Sequence, residues 1–215
     1  MTRTERSANP IFARAWSRLL VKGLARNGGD DLRRRLLAGL SGTVVEVGAG
    51  DGANFAFYPG AVDRVVAVEP DPYLRERAER RAADAPVPVE VVDGSAERLP
   101  IDEGRVDAVV FCLVLCSVPD QAMALAEARR VLGPAGAVHF LEHVRAHEPG
   151  PMRRVQDALD ATVWPHLFGG CHVGRDTVTA MGAAGFAIDE EERFWFPARP
   201  RLPMSAAVLG HATAV

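Results

Sequence analysis

The stretch Thr43-Val44-Val45-Glu46-Val47-Gly48-Ala49-Gly50-Asp51-Gly52 decides the fold. Its first half is a short run of β-branched residues, the pattern of a strand covered on both faces. Its second half places glycines at alternate positions directly after that strand, where the backbone must turn tightly and approach a ligand closely. The spacing is G-x-G-x-G rather than the G-x-G-x-x-G that cradles a dinucleotide pyrophosphate, which favours a nucleoside ligand without phosphates. A structural turn in another nucleotide-binding fold is the competing explanation for the glycines taken alone.

Outward from this stretch, apolar runs alternate with helical ones. Strands are expected over Thr43–Val47, Arg64–Val68, Val89–Val92, Val106–Leu113 and Ala137–Leu141. The stretches Pro72–Ala83 and Asp120–Leu132 between them are long enough to be right-handed crossover helices, so the sheet is largely parallel and doubly wound. Two late strands, Phe186–Phe196 and Ala206–Ala214, complete an expected α/β fold with a mostly parallel seven-stranded sheet, the last pair antiparallel at the edge. Before the sheet, Ile11–Ala25 has an amphipathic pattern with Phe12, Trp16, Leu19 and Leu20 on one face. A second helix begins at a capping Asp30, repeats Leu32, Leu36, Leu37 and Leu40, and closes at Gly42. The expected organisation is residues 1–41 as a helical cap or lid and 42–215 as the ligand-binding domain, forming one compact unit.

Composition narrows the partners. The 215 residues suffice for one self-supporting core. With 25 basic and 28 acidic side chains the net charge is −3, which offers nucleic acid or anionic lipid no global attraction and points to a small-molecule substrate. Cys112, Cys116 and Cys171 lack C-x-x-C spacing and fit a reducing compartment. No signal-peptide pattern opens the chain, and Ala108–Val118 is about half the roughly 20 residues a membrane-spanning helix needs. A cytoplasmic protein without an integral membrane segment is expected.

Glu69 follows the second strand about twenty residues after the first glycine, where a carboxylate can accept hydrogen bonds from both ribose hydroxyls. Capping the next helix is its alternative role. After the third strand, Asp93-Gly94-Ser95-Ala96-Glu97-Arg98-Leu99-Pro100 can present polar groups to an adenine edge. Cys112 and Cys116 either face the pocket or simply pack. His139, Glu142, His143, His147, His166 and His172 show no zinc-like spacing, so no metal site is expected. His143, at a strand exit, can deprotonate or orient an acceptor, or close the sheet as a satisfied polar residue. Glu190-Glu191-Glu192 reads as a solvated run.

Loop, acid and turn in this order resemble the class I S-adenosylmethionine-dependent methyltransferases, from about Thr43 onward. Gly52-Ala53-Asn54-Phe55, Phe57-Tyr58-Pro59, Leu113-Val114-Leu115-Cys116-Ser117-Val118, Glu142-His143-Val144, Trp164 and Gly170-Cys171 are similar to the alkyl-thiol methyltransferases, called methyltransferase-like proteins, and their bacterial relatives. The resemblance implies a Rossmann-like methyltransferase fold and S-adenosyl-L-methionine as cofactor. It implies cofactor contacts from Glu46, Gly48, Ala49, Gly50, Gly52, Asn54, Glu69, Pro70, Ser95, Ala96, Glu97, Cys112 and Leu113. Around the acceptor it implies Phe12, Trp16, Cys116, His143 and Trp164, with His143 as the candidate catalytic group. The expected reaction is methylation of a small acceptor, foremost a thiol. Methylation at oxygen, nitrogen or carbon in specialised metabolism or on a quinone-like molecule is the alternative. A non-catalytic S-adenosylmethionine-binding partner protein is a third possibility in principle.

Overall fold

The structure, a computed structural model, describes residues 28–215. The helix expected over Ile11–Ala25, with Phe12 and Trp16, lies outside the described residues. The elements in chain order are α1 (Asp30–Leu37), β1 (Gly42–Val47), β2 (Val62–Val68), α2 (Pro72–Ala82), β3 (Val89–Val92), β4 (Val106–Cys112), α3 (Gln121–Val131), β5 (Leu132–His143), α4 (Pro151–Asp160), α5 (Trp164–Leu167), α6 (Thr177–Ala183), β6 (Phe186–Trp195) and β7 (Ala206–Ala214). The strands form one seven-stranded sheet in the order β3-β2-β1-β4-β5-β7-β6. The pairs from β3 through β5 are parallel, while β7 runs antiparallel to both β5 and β6.

The apolar strands are two-faced because each supplies two cores. Along β4, Val109 and Phe111 enter the cluster on one side of the sheet with Leu125 and Ala128 of α3. Ala108 and Val110, at the alternate positions, enter the cluster on the other side with Leu36 and Leu37 of α1 and Ala78 of α2. Strand periodicity sends neighbours to opposite faces, and full burial of each large apolar side chain contributes about 1.5–3 kcal/mol. A chain whose strands need cover on both faces folds as a helix–sheet–helix sandwich.

Helix starts follow local chemistry. Asp71 caps α2 by accepting from the Tyr73 and Leu74 amides at 2.9 and 3.0 Å, ahead of Pro72 in the first turn. Asp120 caps α3 through the Met123 amide at 3.0 Å. Asp30 is not the cap of α1: Gly29 holds that position, and Asp30 and Asp31 lie in the first turn, where their charge complements the helix dipole. Nor does Gly42 end that helix. The chain leaves it at Ala38, and Gly42 is the first residue of β1.

β5 extends beyond the expected Ala137–Leu141 at both ends. Its start escapes pattern reading because Gly133-Pro134-Ala135-Gly136 has no alternation and the pairing with β4 slips between Val106 and Ala108. Its end carries two polar residues, Glu142 and His143, paired with Val208 and Ala207 of β7. β6 is the outer strand, and its Glu190, Glu191 and Glu192 are exposed, a charged edge that discourages further pairing.

Candidate functional site

The carboxyl ends of β1, β2, β3 and β4 lie side by side, and β1 and β4 are the neighbours from which the two halves of the sheet diverge. Open α/β sheets bind ligands at such a switch point. The glycine loop leaves β1 here. Gly48, Gly50 and Gly52 all have positive φ, at 66°, 60° and 78°. A Cβ on Gly48 would sit 2.7 Å from Val114 Cγ2, and one on Gly52 would sit 2.6 Å from the Phe55 ring. These two glycines are therefore required by both backbone and space. Among the described residues, a Cβ on Gly50 would meet no atom within 4 Å, so the middle of the loop faces away from them.

The loop is braced from both sides. The Gly48 and Ala49 amides donate to the Val68 carbonyl at 2.8 and 3.1 Å. Glu46, on β1, is buried, and its carboxylate accepts from the Asn54 amide at 2.9 Å and the Tyr58 hydroxyl at 2.7 Å. Burial pushes the Glu46 carboxyl up to about 7, against the pull of those two hydrogen bonds. Both its oxygens are thus engaged beneath the loop. Asn54 is buried, and its Oδ1 has no hydrogen-bond partner among the described residues. Asp51 is paired with Arg81 at 3.1 Å and Arg77 at 3.7 Å, tying the loop to α2.

Glu69 stands just past β2 and is buried. Its carboxylate accepts from the Gly50 amide at 2.8 Å and the Asp71 amide at 2.9 Å. Burial raises its pKa to about 7 despite these bonds. The capping role belongs to Asp71, so Glu69 is left to join the loop to the β2 end. Pro70 follows it, and the Pro70 carbonyl accepts from Arg75 at 3.2 Å. After β3, Arg75 also reaches Asp93 at 2.9 Å. Ser95 and Arg98 form a single antiparallel bridge that closes the turn containing Ala96 and Glu97. Ala96 is buried against the core.

Beyond β4 lies a small pocket bordered by Arg33, Cys112, Leu113, Leu141, His143 and Phe196, with Gly29, Leu32 and Ala207. Leu113 has φ 61°, a conformation that costs a non-glycine residue about 1–2 kcal/mol, and its amide donates to the Leu141 carbonyl at 2.7 Å. Such strain commonly accompanies a functional turn. Burial drives the Cys112 thiol up to about 12, so it is held protonated. Glu142 is fully buried and accepts from the Val114, Leu115 and Cys116 amides at 2.8, 3.0 and 3.1 Å. One carboxylate at the end of β5 therefore shapes the whole turn after β4. Burial raises its pKa, and the three amides oppose that rise.

Of the residues expected in the site, Glu46, Gly48, Ala49, Gly50, Gly52, Asn54 and Glu69 come together around the loop, and Cys112, Leu113 and His143 share the pocket. Cys116 and Trp164 do not border that pocket. They pack behind it with Cys171, Val173 and Phe168. His143 joins the two groups, since its Nδ1 lies 3.9 Å from Cys171 Sγ. Burial lowers the His143 imidazole pKa, but Cys116 and the Glu142 carboxylate outweigh it and the net shift is upward. Sequence reasoning overlooked Arg33, a buried side chain on α1 that borders the pocket, because nothing distinguishes it from Arg34 and Arg35 beside it. It also overlooked the tying role of Glu142, whose three partners appear only once β4 and β5 are paired. No helix among the described residues is long and apolar enough to cross a membrane.

A family model described as a methyltransferase domain matches residues 45–140, the stretch from β1 into β5. The chain is 34% identical over 176 residues to the human thiol S-methyltransferase TMT1B, covering 77% of this chain and 71% of that protein. It is 39% identical over 157 residues to human thiol S-methyltransferase TMT1A, covering 70% of this chain and 63% of the length of that relative. A solved structure of an S-adenosylmethionine-dependent methyltransferase from Thermotoga maritima, described as a possible histamine N-methyltransferase, shares the fold. Its TM-score is 0.69 at 22% identity, over 96% of this chain and 99% of that one. The glycine loop, the buried acid after β2 and the seven-stranded sheet agree with these matches, and the chain belongs to the S-adenosylmethionine-dependent methyltransferases, in the family that contains the thiol S-methyltransferases.

Proposed function

We propose that this protein transfers the methyl group of S-adenosylmethionine to the sulfur of a small apolar thiol. The observation that carries this reading is the pocket beyond Leu113: its walls are mainly apolar, and the His143 imidazole borders it at the end of the strand beside β4. Similarity to proteins described as thiol S-methyltransferases supports the same acceptor.

The residues fit the cofactor. No atom of the described residues lies within 4 Å of a Cβ at Gly50, which leaves room for the methionine part to lie against the loop backbone. An ionised carboxylate has about four acceptor positions. With two of those on Glu69 given to the Gly50 and Asp71 amides, the remainder are available to ribose hydroxyls. Ser95, Ala96 and Glu97 would flank the adenine, Cys112 and Leu113 the neighbouring wall, and Pro70 the edge of the ribose site. The cofactor supplies an electrophilic methyl carbon on a sulfonium. The chain's task is to hold the attacking sulfur in line with it and to keep water away, since placement supplies most of what a displacement of this kind needs. A thiol with a pKa near 8.5 is already partly ionised at neutral pH, and in this reading the His143 imidazole beside the pocket favours that ionised form. In this reading α1 acts as one unit with the sheet, because its Leu36 and Leu37 are buried in the sheet's own core.

Purified protein incubated with methyl-labelled cofactor and separate sets of thiols, phenols, amines and quinols tests the proposal. Label should pass to thiols fastest, with apolar thiols ahead of charged ones. Transfer to phenols, amines or quinols with thiols left untouched would overturn it.

A further inference from the structure

Cys116, His143 and Cys171 are separated by nearly thirty residues each along the chain, yet their sulfur and imidazole nitrogen atoms all lie within 4.8 Å of one another. It is a group of potential metal ligands that includes both cysteines behind the pocket. We propose that these three side chains bind a zinc ion whose fourth position opens toward the pocket and takes the sulfur of the thiol acceptor. The proposal rests on the thiol-methylation reading for the identity of that fourth ligand.

The donor set selects the metal. Two thiolates and one imidazole suit zinc, and three protein ligands with a fourth place left for water or substrate are the pattern of a zinc ion that takes part in chemistry. In a tetrahedral site with Zn–S near 2.3 Å and Zn–N near 2.0–2.1 Å, ligand atoms sit about 3.5–3.8 Å apart. Cys171 Sγ and His143 Nδ1 are already 3.9 Å apart. The cluster needs an inward movement of about 1 Å at most, within the reach of side-chain rotation.

The backbone around the cluster is fixed in a way that plain packing does not require. The Cys116 amide is held by Glu142, the residue immediately before His143. The His172 amide donates to the Cys116 carbonyl at 2.7 Å, so the two cysteine loops are bonded directly to each other. Gly170, with φ 88°, makes that contact possible, because a Cβ there would lie 2.8 Å from the Ser117 carbonyl oxygen. Around the sulfurs stand the Ser117 hydroxyl, 3.5 Å from Cys116 Sγ, and the Trp164 indole, whose side chain hydrogen-bonds toward Cys171. Both are donors of the kind that steady zinc-bound thiolates. Val173, Phe168 and Met204 complete an apolar surround. His143 is the shared member: it belongs to the cluster and also borders the pocket.

The chemistry balances without an oxidant or reductant. The acceptor thiol displaces water from the zinc and its proton passes to solvent. The resulting thiolate sulfur attacks the methyl carbon with its electron pair. The carbon–sulfonium bond breaks, its electrons return to the cofactor sulfur, and S-adenosylhomocysteine and the methyl thioether leave.

The test is metal binding by the reduced, full-length protein, stripped with a chelator and titrated with zinc and, separately, with cobalt(II). About one ion per chain is expected, with a thiolate-to-cobalt charge-transfer band that changes when a small alkyl thiol is added. Cys116→Ser, Cys171→Ser and His143→Ala should each weaken zinc binding by more than about 100-fold, while Cys112→Ser, outside the cluster, keeps the parent's stoichiometry. Thermal melts identify any variant that fails to fold, and the remaining ligand variants then carry the comparison. A parent that binds no stoichiometric metal, ligand variants that bind as the parent does, or a cobalt band indifferent to thiol would overturn the site or its open position. Thiol methylation at an undiminished rate in metal-free protein would overturn the role of zinc and leave the thiol reading intact. A zinc-loaded protein that methylates other acceptors but no thiol would sink the acceptor reading and, with it, the proposed fourth ligand.

Discussion

At Gly50 a Cβ would meet no atom of the described residues within 4 Å, yet the residue sits at φ 60° with its amide bonded to Glu69. The two demands separate in a substitution. Gly50→Ala is expected to cost about 1–2 kcal/mol of stability through its backbone angle alone. It should weaken S-adenosylmethionine binding by more than tenfold, since the added carbon occupies the space left for the ligand. Glu69→Ala should reduce affinity by a factor corresponding to about 1–3 kcal/mol, the usual cost of leaving polar groups unpaired. Calorimetric titration reads both, and parent-like affinity in the two variants would place the cofactor elsewhere. The loop and its acid were legible at this scale because they are contiguous with strands whose periodicity is plain. Glu142 was not, because its partners Val114, Leu115 and Cys116 lie on a different strand exit.

Among the elements, α4 shows why pattern reading stops where it does. Its one buried residue is polar, Gln156, while Val155 on the same helix is 46% exposed. A search for an apolar stripe therefore finds nothing to follow. Gln156 nevertheless ties α4 to three other segments: its side-chain oxygen accepts from the Ala146 amide at 2.8 Å. Its nitrogen shares its two N–H groups among the Val144, Val173 and Pro203 carbonyls, at 3.2, 2.9 and 2.8 Å. These segments form the wall behind His143. Gln156→Ala is expected to lower stability by about 2–3 kcal/mol, since it orphans buried backbone groups. At this chain length that corresponds to a melting temperature lower by roughly 5–10 °C. Differential scanning calorimetry checks it, and an unchanged midpoint would mean that water or neighbouring groups take over the bonds. By contrast α2 and α3 were legible from their ends, since Asp71 and Asp120 cap them in the way their sequences announce.

For the molecule as a whole, burying carboxylates makes stability depend on pH. Glu46 and Glu69 have pKa values near 7, raised by burial, and Glu142 is shifted in the same direction. Between an unfolded value near 4.5 and the folded value near 7, the native state holds protons that the unfolded chain has released. Stability from these groups is therefore full at low pH and fades as pH rises toward and through 7, by up to about 1.4 kcal/mol per pH unit for each group. The cofactor-free protein should accordingly gain stability from this source between pH 7.5 and 5.5. Other groups titrate in the same range, His139 among them with a pKa lowered chiefly by burial, so the informative quantity is a difference. Glu69→Gln should show a shallower loss of stability with rising pH than the parent in urea titrations. Equal slopes in the two proteins would remove Glu69 from the account.

The sequence by itself determined the order of the strands and their first crossover helices, the doubly wound sheet, the glycine loop and its partner acid, because each rests on contacts or periodicities within a short span of chain. Its similarity strings pointed to the thiol methyltransferases for the same reason. Only the tertiary structure decided which distant residues meet. Parallel pairing of β4 with β5 brings Glu142 and His143 to the turn that carries Cys116. The segment after α5 then lays Cys171 against both. A spacing of nearly thirty residues between potential ligands has no local signature, since loop closure over that distance is accomplished by the sheet and helices rather than by the sequence around each residue.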